Sequence, residues 1–187
     1  GFFRFFILVA FLALWEAAAK TGLIDEFIFS CPSAMFKAAV YMGKDGSLWY
    51  HIGITAAETI VGFLLGTIIG TAAAVLLWWN KMISDVAQPY LVVLNSLPKT
   101  ALAPIIIVWL GNNMKAIIAV ALLTSVIVTI INVLGGFNNA DKDDIRLVRS
   151  FGGNKKDVLF KVVFPSATPY IIDALKINVG LSFVGVI

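Results

Sequence analysis

The sequence predicts an all-α fold, a polytopic transmembrane helix bundle of about five spans, and three observations carry that prediction. Hydrophobic residues make up 60% of the 187 positions and charged residues only 13%, against about 25% charge in an average soluble domain. Residues 59–80 carry no charge across 22 positions and residues 116–140 none across 25, each longer than the roughly 20 residues that cross a hydrocarbon core. The basic residues are also segregated. With the N-terminus inside, eight of them (Arg4, Lys81, Lys142, Arg146, Arg149, Lys155, Lys156 and Lys161) fall on the inner side and four outside, the bias that orients membrane helices.

The first apolar segment covers about 3–20, flanked by Arg4 and Lys20, with Trp15 suited to an interface. Its short apolar stretch and small AAA residues also fit a secretory leader, but the remaining chain is itself polytopic, which favours a span. Residues 21–51 are mixed, and SAMFKAAVYM within them reads as a short amphipathic surface helix. The chain thus divides into a first helix with its outer connecting segment, 1–51, and a transmembrane core, 52–187. The second span, about 53–79, places Gly62, Gly66, Gly70 and Ala74 at spacing four. That stripe of small residues lets a neighbouring helix approach closely. Glu58 is expected to pair with another span, and Glu16 to sit at an interface.

The third segment, 84–110, contains Pro89, Pro98 and Pro104. Each proline removes a backbone donor, so the segment is expected to be broken, which a membrane tolerates only where protein or water satisfies the freed groups. Asn95, Ser96, Lys99 and Thr100 surround the middle break and are candidates for a translocation pathway. An intramembrane lysine is costly and functional by default: Lys99 could attract an anionic substrate, but snorkelling to the inner interface or structural pairing is the favoured reading. The fourth span is 116–134, and the fifth is expected to begin near Pro169. Asp173 and Lys176, three apart on that helix, read as a structural pair. The sequence starts at Gly1 and stops at Ile187 inside an apolar run, so we expect a fragment, truncated at its C-terminus, of a six-span protein.

Between the fourth and fifth spans, about 138–165, lies the most polar stretch of the core. Asp141 is a candidate N-cap, with Asp143 and Asp144 in the first helical turn, where carboxylates complement the dipole. Ile145, Val148 and Phe151 would form an apolar face and Arg146 and Arg149 a basic one. Gly152-Gly153 ends this helix. Asn154 with Asp157 forms a variant capping box for a second helix, KKDVLFKVV, running into Phe164-Pro165. Such a helix pair could bind anionic lipid headgroups. It could also dock a cytoplasmic partner, which large exposed side chains at Phe151, Leu159 and Phe160 would favour.

Here the sequence resembles a known family. Gly152 is followed by nine residues and then Val162, Val163, Phe164 and Pro165, similar to the E-A-A-x(3)-G-x(9)-I-x-L-P signature of binding-protein-dependent permeases of ABC importers. The E-A-A positions are occupied by Arg146, Leu147 and Val148, a departure that removes the usual acidic contact to the ATPase. LPKTALAPIIIVWLG (97–111) and FPSATPYIIDALKINVGLSF (164–183) resemble segments of the nitrate, sulfonate and taurine branch. The likeness runs from about 52 to 187.

The resemblance implies a permease subunit of the bacterial or archaeal cytoplasmic membrane, multi-pass and non-catalytic. Its partners would be a second permease copy, cytoplasmic ATP-binding subunits, an extracytoplasmic substrate-binding protein and membrane lipid. ATP and magnesium would be bound by the ATPase, leaving this chain without a cofactor. The coupling residues implied are Arg146 to Arg149, Phe151, Gly152, Gly153, Val162, Phe164 and Pro165, with Pro165 and Pro169 setting the angle between loop and fifth helix. The substrate would be a small anion such as sulfonate, taurine or nitrate, or a thiamine-precursor-like molecule.

Competing classes fit less well. A membrane-embedded enzyme would want clustered catalytic groups at depth, but there is one His and one Cys in the chain, and His51 and Cys31 read as structural. An ion-coupled secondary transporter would show inverted repeats, and none is visible. No G-x(4)-G-K-[ST] phosphate loop is present, so the chain is not itself the ATPase. The net charge of +3 is too small and scattered to argue for nucleic acid.

Overall fold

The computed structural model describes residues 2–186, apart from the side chains of Lys99 and Thr100. The chain forms two compact units, Gly1–Ile54 and Thr55–Ile187.

In the first unit, α1 (Phe2–Lys20) is an apolar helix. It is followed by the single-turn α2 (Glu26–Phe29), capped by Asp25, and α3 (Pro32–Lys44). Glu16 joins α1 to α3: its carboxylate accepts from the Ser33 amide at 3.0 Å while pairing with Lys20 at 2.8 Å. Cys31, just before α3, is buried and hydrogen-bonds to Glu26 at 3.4 Å. Asp45 accepts from both the amide and the hydroxyl of Ser47, which holds its carboxyl below the usual range.

The second unit is built around α7 (Met114–Asn138), on which twelve residues are buried. On one side lies α4 (Ser47–Trp79). A Cβ added at Gly62 would stand 2.7 Å from the Ala121 Cβ, and one at Gly70 2.5 Å from the Thr129 Cβ. Gly66 faces Ser125 equally closely. These pairings advance together, so α4 and α7 run parallel with small residues against small residues, the arrangement that lets membrane helices associate without a hydrophobic driving force. Against another side of α7 lies α10 (Phe164–Val186), antiparallel to it, with Gly136 against Tyr170 near one end and Gly185 against Ala121 near the other.

Because α4 and α7 are parallel, residues 80–113 must carry the chain back across the bundle. They do so in pieces: α5 (Lys81–Ser96), a 3₁₀ turn (Lys99–Leu102) and α6 (Ala103–Leu110). The two α-helices supply 16 and 8 residues, about 36 Å of helix at 1.5 Å per residue, enough to return from the level of Trp79 to that of Met114. The break falls at Leu97-Pro98. Pro89, by contrast, lies inside α5, and Pro104 sits in the first turn of α6, where a missing N–H costs nothing. Among the described residues, four continuous helices are long and apolar enough to cross a membrane, Phe2–Lys20, Ser47–Trp79, Met114–Asn138 and Lys155–Val186, and the return between the second and third of them is composite.

The start of the last span corrects the sequence expectation. The helix does not begin near Pro169, and KKDVLFKVV does not end at Phe164-Pro165. Instead α9 (Lys155–Val158), a π-helical turn (Leu159–Val163) and α10 form one uninterrupted rod from 155 to 186. The reason is local. Pro165 has no N–H to give the Lys161 carbonyl, and the helix widens just before it, the Phe164 amide reaching back to the Leu159 carbonyl. A π turn absorbs the proline without breaking the axis. Pro165 and Pro169 thus set no angle between two elements, since both lie within one.

Candidate functional site

The polar stretch between α7 and α10 folds as a short helix leaning on the base of this rod. α8 (Lys142–Ser150) begins at Asp141, whose Oδ1 accepts from the Asp143 amide at 2.7 Å. Arg146 pairs with Asp143 at 3.0 Å, but both side chains are largely exposed, so the pair adds little stability. The helix stops where Gly152 adopts φ +79°, a left-handed conformation that favours glycine. The amides of Gly152 and Gly153 then return to the carbonyls of Arg149 and Val148 at 3.0 Å. Gly153 is sterically the more demanding of the two. A Cβ there would meet Val148 Cγ1 at 2.6 Å and the Val148 carbonyl oxygen at 2.7 Å, whereas one at Gly152 meets nothing. Asn154 then caps α9 in a reciprocal box, accepting from the Lys156 and Asp157 amides while its own amide donates to Asp157.

The two faces of α8 have different fates. Ile145 and Val148 pack into a buried cluster that gathers the ends of three other elements: Ala74 of α4, Val133, Leu134 and Phe137 of α7, and Val158, Leu159 and Val163 of the rod. Phe151 does not join them; it is 83% exposed, as are Leu147, Arg146 and Arg149 to lesser degrees. Leu159, expected to be exposed, is 3% exposed and part of this core, while Phe160 is outward. Val162 is buried, Phe164 half-buried and Pro165 exposed. Between α8 and the rod runs a cleft of about 350 Å³ walled by Asp144, Leu147, Lys161 and Pro165.

Two connections that the sequence reading missed bind the rod to the rest of the unit. One is aromatic: Trp78 stands edge-on to Phe137 at 6.4 Å, Phe137 to Phe164 at 5.2 Å, and Phe164 stacks on Phe160 at 5.8 Å. The other is Lys155, which donates to the Trp79 carbonyl at 2.5 Å and lies over the Trp78 and Trp79 rings at 5.7 and 5.2 Å, a cation–π arrangement. The adjacent Trp78 and Trp79 just before Asn80-Lys81 were the signal available.

Deeper in the unit, a polar seam joins three helices. Asn178 of α10 is fully buried and donates to Thr129 at 2.6 Å and to Thr67 at 3.2 Å. Ser125, Thr129 and Ser182 are fully buried beside it. Thr129 and Ser125 also return their hydroxyls to carbonyls one turn back, at 2.8 and 2.9 Å. Glu58 is 4% exposed on the same stripe as the glycines, and no ion pair is seen for it among the described residues. Asp173 and Lys176 pair at 3.2 Å on an exposed face. Of the pathway candidates, Asn95 and Ser96 occupy the exposed last turn of α5, the Ser96 hydroxyl donating to the Val93 carbonyl at 2.7 Å. The side chains of Lys99 and Thr100 lie outside the described residues.

Known proteins place this architecture. The family model described as "binding-protein-dependent transport system inner membrane component" matches residues 62–187. The chain belongs to that family. Its members are ABC transporter permeases, non-catalytic proteins of the cytoplasmic membrane. Relatives include the formylaminopyrimidine transport permease protein ThiX of Halalkalibacterium halodurans, 24% identical over 182 residues that cover 97% of this chain and 71% of that one. The aliphatic sulfonates transport permease protein SsuC of Escherichia coli is 26% identical over 185 residues, covering 97% and 69%. Among solved structures, one described as an amino acid ABC transporter with histidines aligns with a TM-score of 0.56 at 21% identity, over 78% of this chain and 76% of that one. The shared fold is the helical bundle of an ABC permease, and this permease is a multi-pass membrane protein that forms part of an importer.

Proposed function

We propose that α8, Gly152-Gly153 and the base of the rod form the element through which a cytoplasmic ATPase drives this permease. The single observation that carries this reading is the continuity of helix from Lys155 to Val186, with α8 anchored on it by Ile145 and Val148. A push on α8 is delivered through that apolar anchoring to a span-length rod with no break along it. The outward side chains Leu147 and Phe151 supply the apolar anchors, and Arg146 and Arg149 stand where the family pattern has Glu-Ala-Ala and its following residues. The partner group facing Arg146 is then acidic where the family pattern would meet a basic one.

In this reading two permease copies enclose the pathway, ATP and magnesium are bound by the separate ATPase subunits, and an extracytoplasmic binding protein delivers the substrate. The substrate class is a small sulfonate, taurine or nitrate-like anion, or a pyrimidine of the thiamine-precursor type, in line with the transport roles of SsuC and ThiX. Asn95, Ser96, Lys99 and Thr100 remain the pathway candidates, and Lys99→Met should abolish uptake while leaving basal ATPase activity intact.

The coupling assignment is tested by the double variant Leu147→Ala/Phe151→Ala, produced together with the ATPase subunits. Both side chains are exposed, so insertion and yield should be unchanged while ATPase co-purification and uptake are lost. Gly152→Leu should likewise block uptake in an inserted protein. Normal uptake by either variant at normal expression would overturn the proposal.

A further inference from the structure

Beside the rod two clefts open, the larger sharing Ile145 and Arg149 with α8. The first, about 460 Å³, lies where the ends of α4, α5, α7, α8 and α9 meet. Lys81, Arg149 and Lys155 line it against a single acid, Asp85, which stands 3.8 Å from Lys81. Ser84, the one buried residue of α5, and the indole of Trp78 complete its wall. The second, about 190 Å³, continues between α5 and α7 with Leu91, Val92, Ile131 and Leu134 along it. Gln88 and Asn138 line both clefts, so a cationic chamber and an apolar slot share a common threshold.

We propose that this composite cleft is a binding site for an anionic phospholipid, its phosphate in the cationic chamber and one acyl chain in the slot. Three arguments select this occupant. The chamber carries a formal surplus of two positive charges over its single acid, and basic pockets between membrane helices are suited to acidic headgroups. The slot is apolar and lies between two membrane segments, which a free inorganic anion would have no use for. The threshold is placed at the membrane interface by Trp78 and Trp79, adjacent aromatic residues of the kind that mark headgroup depth. A lipid seated here would bridge α5, on which only Ser84 is buried, to the latch that Lys155 makes with the end of α4.

The test uses the full chain, purified with its ATPase subunits and reconstituted in vesicles of phosphatidylcholine with or without phosphatidylglycerol. Lipid retained after delipidation is quantified by mass spectrometry. Phosphatidylglycerol should be retained over phosphatidylcholine. Lys81→Ala should weaken retention roughly five-fold, as one interfacial cation is worth, and Lys81→Arg should restore it. Val92→Trp narrows the slot at an exposed position and should weaken phosphatidylglycerol retention with the chamber intact. The proposal is overturned if neither variant changes retention, or if phosphatidylcholine is held equally. Displacement of the lipid by millimolar inorganic phosphate or taurine at no cost from Val92→Trp would also overturn it, because the site would then take a free anion.

Discussion

Helix α7 and the composite segment that precedes it are both apolar and both traverse the bundle, yet they are held in opposite ways. Twelve residues of α7 are buried, among them the polar Thr124, Ser125 and Thr129. Along α5 only Ser84 is buried, and along α6 none. The difference is not hydrophobicity, since α6 is an all-apolar octapeptide apart from its proline. It is the availability of small residues on the facing helix. α4 and α10 offer glycines that bring their backbones onto α7, whereas the composite segment has bulky side chains pointing outward, with Val108 and Trp109 both 81% exposed. In a bilayer, where apolar side chains gain nothing by leaving lipid, close backbone approach and hydrogen bonds decide which helices associate. α7 is thus the scaffold, and the composite segment presents itself to whatever lies outside this chain.

The sharpest way to break the comparison is to remove the close approach. Gly70→Leu puts a Cβ 2.5 Å from the Thr129 Cβ and 3.0 Å from the Val126 carbonyl oxygen, contacts that no rotamer relieves because one partner is backbone. We expect a loss of about 3 kcal/mol, against which the better helix propensity of Leu returns less than about 1 kcal/mol. Thermal melting in detergent and the yield of monodisperse protein measure it. A melting temperature equal to that of the unaltered chain would show that α4 is not held on α7 through the glycine stripe.

A middle-sized effect sharpens the polar half of the same argument. Asn178→Leu removes the hydrogen bonds to Thr129 and Thr67. Thr129 keeps its bond to the Ser125 carbonyl, and the Asn178 carbonyl oxygen has no partner to lose. The cost should therefore be that of an interhelical polar contact in a membrane, about 1 kcal/mol, well below Gly70→Leu in the same melting assay. A larger loss would mean that the polar seam, not the glycine approach, holds the three helices.

These residues also mark what the sequence could and could not say. The glycines at 62, 66 and 70 were legible because spacing four on a helix is a statement about one face. Their partners at 121, 125 and 129 obey the same spacing, but pairing two stripes requires knowing which helices are neighbours. Asn178 was passed over because a lone amide in an apolar run has no periodic companion, and its partners are 49 and 111 residues away. The capped ends of α8 and α9 were readable from Asp141, Gly152 and Asn154, since capping is local chemistry. The continuity of the rod was not, because prolines at 165 and 169 argue for breaks unless a π turn absorbs one of them. Leu159 was misjudged for a different reason: the residues it is buried among, such as Ala74 and Phe137, are remote in sequence.

The smallest effect on the isolated chain should come from the other side of the comparison. Trp109→Ala removes the largest side chain of α6 from a position where it touches little within this chain, so its melting temperature as a monomer should change by no more than about 0.5 kcal/mol allows. Its effect should appear instead in association. A Trp so exposed on a short helix is the kind of anchor that interfaces use, and in the proposed importer the available surface is the second permease copy. Cross-linking in native membranes should then show a fall in the dimer fraction for Trp109→Ala, with monomer stability untouched. A drop in monomer stability comparable to that of Asn178→Leu would show that α6 is packed within its own chain after all. The contrast between a self-satisfied α7 and an outward-facing composite segment would not survive that result.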